Sequence, residues 1–363
     1  MKHLAPRLLL ISFTLFASTG WAQSSAVMVK SSAKDVKETP RLHLTPVDSV
    51  VVPSEVASGF VEPLSCDQNG SVYLASDETP ASIRKLNAKG ERLALYQPIA
   101  NPDIKVASTG YFAVSTDEEL YVVAFSRTDT ARYVLVFKPD GTYKNKIKLN
   151  PGFPWIPATL AVFPNGNLLI TGQEYDRDHS KPMLPFTAIF APDGSLLKEV
   201  ALEDDEKINA MAAAHDDRVT SPTNRLMNNA IDWGQTSAAS DGNIYVMRWL
   251  SPAIIYAISP GGEVVRRFEV NSGEDNFAPV SMHITGNRMA ILFYQPQTME
   301  KVMKIVDLQG RDLASYDELR EGGKAKLGTL GLAFACYTVR PERFTFLTAG
   351  DDHRIELKLV EPR

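Results

Sequence analysis

Cysteine is what this chain of 363 residues has least of: two, Cys66 and Cys336, far apart in sequence. In an oxidising compartment such a pair invites one disulfide, and spacing alone does not establish it. Long apolar runs are missing too. The run near the N-terminus, Leu8 to Phe16, is about half of the roughly 20 residues that a membrane-spanning helix needs, and no later stretch is long and apolar enough to be a span. There is no excess of positive charge: Lys and Arg number 38 against 43 Asp and Glu, a net −5. Without a basic stripe, nucleic acid is a poor partner and anionic membrane surfaces are disfavoured. The sequence has no G-x-S-x-G elbow, no P-loop, no dinucleotide fingerprint and no H-E-x-x-H pair. Catalysis therefore has no motif to stand on, and binding is favoured over an enzymatic role.

What is present begins with a leader. Lys2 and Arg7 precede the apolar run, and Gly20 and Ala22 offer small residues for cleavage after Ala22. Residues 1–22 are thus expected to be a signal peptide, giving a secreted or periplasmic protein; an uncleaved N-terminal anchor is the alternative. Cleavage removes Lys2 and Arg7 and no acid, moving the net charge from −5 to −7. Residues 23–40, rich in Ser, Lys and Glu, are expected to be a flexible leader, and 41–363 a single folded domain.

That domain is repetitive. The stretch Phe60 to Arg92 holds a strand, an Asn-Gly turn, a second strand, a looser connection, a third strand and another Gly turn. Equivalent first turns fall near Asn69, Glu118, Asn165, Asp241, Gly286 and Glu342, and second turns near Lys89, Asp140, Asp193, Gly261 and Gln309. Runs rich in Val, Ile, Tyr and Phe lie between them, as in hairpins. Most intervals are about fifty residues, the length of a four-stranded propeller blade. The exception is an insertion at 201–236. The last unit is degenerate and lacks a fourth strand.

The first unit resembles an NHL-type propeller repeat through Phe60, Pro63, Asp67, Gly70, Val72, Tyr73, Asp77, Ile83, Leu86 and Gly90. Later units keep the turns and strands and are read as losing the Pro and Asp. The resemblance implies an all-β fold, a six-bladed β-propeller of four-stranded blades; seven blades are the alternative. An N-terminal strand near Leu42 to Val52 would complete the last blade and close the ring. Such closure makes Cys66 and Cys336 neighbours on inner strands of the first and last blades. Bonded, they would close a 270-residue loop, worth about 4 to 5 kcal/mol in loop-entropy models; unbonded, they are two buried thiols.

In such a ring the short Gly turns share one side, and the long connections share the other, where functional loops are expected. Trp155, Trp233 and Trp249, with Tyr175, fall on or beside those long loops and are the candidate contacts for a peptide, protein or glycan ligand; packing between blades is the other role open to a Trp. Asp178 and His179, with His215 and Asp216 from the insertion, are candidate ligands for calcium or zinc, against a solvated charged loop. The insertion's LEDDEKINAMAAAHDD suggests a helix over 204–214, as a lid or as a surface bridge. Asp351, Asp352 and His353 are read as an ordinary polar loop. The runner-up function is a metal-dependent hydrolase resembling gluconolactonase-type lactonases, whose metal-binding Glu opens the first inner strand. Glu62 stands at a comparable place, without the Gly and Trp of that family's E-G-P-x-W pattern.

Overall fold

The structure, a computed structural model, describes residues 41–57, 61–76, 81–175, 184–202, 235–274, 276–295, 297–318, 320–321, 324–325, 333–349 and 354–362. The expected signal peptide, leader and 204–214 helix lie outside the described residues. Those described are almost entirely strand, with one 3-10 turn at Pro98–Ala100, and hold no helix long and apolar enough to cross a membrane.

The chain enters on β1 (Arg41–Val51). Four separate four-stranded antiparallel sheets follow, each in sequence order from its first strand to its last. The first holds β2 (Val61–Cys66), β3 (Val72–Ala75), β4 (Ile83–Leu86) and β5 (Arg92–Tyr96); the second β6 (Val106–Val114), β7 (Leu120–Ser126), β8 (Arg132–Phe137) and β9 (Tyr143–Leu149). The third holds β10 (Trp155–Val162), β11 (Leu168–Glu174), β12 (Leu184–Phe190) and β13 (Leu196–Glu199); the fourth β14 (Gln235–Ala238), β15 (Ile244–Arg248), β16 (Ala253–Ile258) and β17 (Val264–Val270). Then come β18 (Ala278–Thr285), β19 (Arg288–Tyr294), β20 (Lys301–Asp307) and β21 (Asp312–Glu318), a two-residue pair β22 (Arg320–Glu321) and β23 (Lys324–Ala325), and β24 (Ala333–Val339), β25 (Glu342–Ala349) and β26 (Ile355–Pro362). Here β1 returns. It pairs antiparallel with β26 and parallel with β21, fusing these strands into one eight-stranded sheet, β18-β19-β20-β21-β1-β26-β25-β24.

Middle strands are covered on both faces and, apart from Arg84 and Lys85 in β4, are mostly apolar. Every residue of β4, β15 and β16 is buried, whereas the last strands β9, β13 and β17 are largely exposed. Hydrophobic clusters fill the spaces between successive sheets: Tyr73, Tyr96 and Phe137 between the first and second, Trp155, Phe186 and Phe190 between the second and third, Ile189, Ile254 and Tyr256 between the third and fourth. The result is a propeller-like arrangement of sheets packed face to face.

The turns explain how one sheet seats on the next. Asp67 Oδ1 accepts the N–H groups of Asn69 and Ser71, and Asn87, Asp140, Asp193 and Asp307 cap their own turns in the same way. This local bonding sets the Asx-Gly hairpins. The glycine of each second turn then lies against the last strand of the preceding sheet. A Cβ at Gly141 would sit 2.4 Å from the Leu95 carbonyl oxygen, and one at Gly194 would sit 1.9 Å from that of Lys148. Gly262 meets Lys198, Gly310 meets Phe268, and Gly90 meets Val50 and Val52 in and just beyond β1. So β1 stands towards the first sheet as β5, β9, β13 and β17 stand towards the sheets that follow them.

Gly152 and Gly194 share nearly the same positive φ, 89° and 88°, but nothing lies within 4 Å of a Cβ at Gly152. Gly152→Ala should therefore cost about 1 kcal/mol through backbone strain alone, and Gly194→Ala about 3 kcal/mol or more, because overpacking adds to it. Urea unfolding of the two variants measures the difference.

Candidate functional site

Strand register sorts the molecule into two sides. Pro362 pairs with Leu44, and Val360, two residues earlier, pairs with Phe344 beside the Arg340–Pro341 turn. Both ends of the described chain thus leave on the side that carries the short Gly turns. The irregular connections between second and third strands, and from one sheet to the next, leave on the opposite side.

On that opposite side the third sheet has an aromatic floor. Trp155 is 5% exposed, stacks on Phe190 at 5.7 Å and meets Phe186 edge-on; Phe153 meets Phe186 at 5.0 Å. Trp249 is also buried, at 8%. Trp155 is thus part of the packing between the second and third sheets, and Trp249 is covered as well. The reason is visible in the repeat. Trp155 precedes Pro157 as Phe277 precedes Pro279, and both prolines sit where the first strand shifts register against the second. Proline lacks the N–H that a regular ladder would use, so it fits the bulge. The pairing of an aromatic with a proline two or three residues on, which the first unit shows at Phe60 and Pro63, thus recurs in the third sheet and in β18, contrary to the expectation that later units lose the Pro.

At this end of the third sheet, side chains on both faces reach solvent. Ile156 is 45% exposed and Leu184 37%, and Tyr175 is half-buried, its N–H bonded to the Pro154 carbonyl. Gly172 is needed here: a Cβ would lie 2.1 Å from the Ile156 carbonyl oxygen. From the second sheet, the Arg132 guanidinium stacks over Phe125 at 4.3 Å. Burial lowers its pKa, and the Tyr175 phenol acts in the opposite direction. Such a surface offers apolar contact, an aromatic edge and a partly desolvated cation. It suits binding through shape and hydrogen bonds, and its described residues include no nucleophile–base pair.

First strands of neighbouring sheets share no ladder and are laced by side chains instead. Thr236 Oγ1 donates to Leu160 O, Gln235 Nε2 to Val280 O, and Thr285 Oγ1 to Tyr337 O. His283 Nε2 donates to Phe334 O at 3.1 Å, with its ring edge-on to Phe334. Its pKa is pushed down to about 4 by burial, against that hydrogen bond. Sequence reading passed over His283. Its signal was alternation: Ser281, His283 and Thr285 are polar at every second position of an otherwise apolar strand. Within the third sheet, buried Thr159 and Thr171 share a 2.7 Å hydroxyl bond, and Arg248 of the fourth sheet donates across to Thr187. On the short-turn side Lys85 bonds Asp67 and Glu118. Burial works against its charge, and the two carboxylates outweigh that and raise its pKa.

The remaining candidates divide plainly. Cys66 and Cys336 are disulfide-bonded, their Cα atoms 5.4 Å apart, tying β2 to β24. Trp233, His179, His215, Asp178 and Asp216 lie outside the described residues, as do Asp351, Asp352 and His353. Glu62 is in β2, and its side chain is likewise outside the description.

No protein-family model matches the chain, and no curated protein matches it in sequence. Among solved structures it is similar to a protein of unknown function from Dyadobacter fermentans, with a TM-score of 0.50 and 14% identity over 88% of this chain and 99% of that one. It is also similar to the PQQ-bound form of an aldose sugar dehydrogenase from Streptomyces coelicolor, with a TM-score of 0.46 and 13% identity over 88% and 98%. A third is virginiamycin B lyase from Staphylococcus aureus, with a TM-score of 0.43 and 10% identity over 88% and 100%. At such identities the likeness is one of fold alone, a propeller-like all-β class.

Two outcomes follow from the packing. Trp155→Ala should lower stability by about 3–5 kcal/mol, as loss of a core aromatic does, whereas a surface contact residue would leave the thermal midpoint unmoved. For His283, the unfolded chain takes up a proton near pH 6.5 and the folded chain only near 4. Its contribution to stability is therefore full above about pH 6.5 and is lost as pH falls towards 4, by about 3 kcal/mol. Denaturant titrations of the native chain and His283→Gln should show the variant with the shallower acid dependence.

Proposed function

We propose that this chain is an exported binding module: a six-bladed, NHL-like β-propeller, released by cleavage after Ala22, that takes a peptide, protein or glycan on its long-loop side. Six blades are supported by strand order, since β24, β25, β26 and β1 make a four-stranded unit like the four separate ones and like β18 to β21. The six hydrophobic clusters support the same count, one for each seam of such a ring. Export is supported by the Cys66–Cys336 bond, which belongs to oxidising compartments.

The observation that carries the binding reading is the surface around Ile156, Tyr175 and Leu184. Exposed apolar side chains stand there beside the packed aromatics of the third sheet, Leu184 on the sheet face that carries Trp155 and Phe186 and Ile156 on the other, on the side away from both ends of the described chain. Rigid support lowers the ordering cost of binding. Metal-dependent hydrolysis with calcium or zinc stays the second reading. It needs acid, Asn or His ligands converging at one end of the channel, and no observation among the described residues favours it.

A peptide and glycan array probed with the disulfide-intact protein tests the placement. Ligands found there should bind about tenfold more weakly, or worse, to Ile156→Asp and Tyr175→Ala. They should bind unchanged to Leu197→Asp, a residue 54% exposed on the outer strand of the same sheet. Binding that ignores the first two variants, or that is lost with the third, would place the site elsewhere.

A further inference from the structure

The strand β1 is held in an unusual way. It lies between two edges, parallel to β21 from Arg41↔Ser315 to Leu44↔Glu318 and antiparallel to β26 from Leu44↔Pro362 to Val51↔Glu356. Yet it contributes little to the core. From Leu42 to Val51 only Leu44 is buried outright, in the cluster with Tyr316, Phe344 and Val360, while Leu42, Val47 and Val51 are 47%, 37% and 41% exposed. Pro46 has no N–H to give the ladder, and the register shifts between Pro46 and Asp48. Beyond Leu44, only the half-buried Val50 packs against the neighbouring core, and a strand with so few buried residues and an interrupted ladder is of the kind that opens locally before the rest of a fold.

In most closed rings of sheets such an opening would release the joint between first and last units. Here Cys66–Cys336 ties β2 to β24 independently of β1. The ring stays shut when β1 leaves. Its departure would uncover two strand edges at once, those of β21 and β26, and a socket shaped for one leucine.

We propose that β1 is a releasable strand, and that the slot between β21 and β26 accepts the β1 segment of a second copy of this chain. The slot fixes the incoming backbone's direction, because one edge bonds it parallel and the other antiparallel. It also fixes a side-chain pattern: an aliphatic residue at the Leu44 place, then a residue without an N–H where the register shifts. The β1 sequence meets both conditions, and an identical strand from another copy meets them equally, which is the basis of strand swapping. If Val52 leaves with β1, residues 53–60 span about 27 Å when extended, enough to join two rims in contact. The proposal holds whether or not the long-loop side binds a ligand.

Hydrogen exchange on the disulfide-intact chain, with β25 as internal reference, gives the first reading: β1 amides should exchange about tenfold faster or more. A fluorescent peptide of residues 41–51 should be taken up by the same protein, and its Leu44→Asp version should not. Incubation at high protein concentration should yield a dimer by size exclusion, and excess unlabelled peptide should suppress it. Exchange of β1 no faster than that of β25 overturns the releasable strand. Uptake of neither peptide, or of both equally, overturns the slot. Peptide uptake without any dimer overturns the second copy as its occupant.

Discussion

No sheet in this protein can stand alone, because its middle strands are mostly apolar on both faces. All six residues of β16 are buried, and so are all five of β15. Each sheet must be covered twice, and the sheets before and after it in the chain do the covering. This demand organises the rest. The Asx-Gly turns become the points where one sheet presses on the outer strand of the previous one, and the chain's first strand must travel to its last sheet so that no face is left bare. The near contact of Gly194 with the Lys148 carbonyl is the same physics at atomic scale: sheets come close enough that a single methyl group would not fit.

Once the faces are spent on packing, function has few places left. The side with short turns also carries both ends of the described chain, and there Lys85 is held by Asp67 of its own sheet and Glu118 of the next. The opposite side keeps the irregular connections, and there Ile156 and Leu184 stay open while Trp155 is buried. Rigidity comes from several sources that do not depend on one another: apolar seams, the side-chain bonds of Gln235, Thr236, His283 and Thr285 between first strands, and the Cys66–Cys336 bond. A surface on such a frame is preformed, which separates it from loops that order on binding.

Much of the architecture was legible because it is local. The alternation of strands and Asx-Gly turns near Asn69, Asn165 and Asp241 reflects bonds within five residues, and the regular spacing of those turns announced repeated units. The return of the N-terminal strand was legible from the missing fourth strand of the last unit, and β1 does pair with β26. The candidate site was far less legible. Trp155 looked like a contact residue from its place beside a long loop, yet it fills the position that Phe277 fills elsewhere, a likeness hidden by the change of aromatic. The parallel pairing of β1 with β21 had no sequence signal, because a parallel edge contact needs no turn.

The sequence by itself determined the period, the strands, the turn residues and which segments are apolar on two faces, because these follow from φ/ψ preferences and side-chain alternation along a few residues. Only the tertiary structure decided what lies against each face. That His283 meets the carbonyl of Phe334, 51 residues away, that Cys66 reaches Cys336, and that Trp155 is covered while Ile156 is not, all depend on distances between sheets. Periodicity tells a side chain that it needs a neighbour. It does not say which one, because the neighbour is supplied by the packing of sheet on sheet.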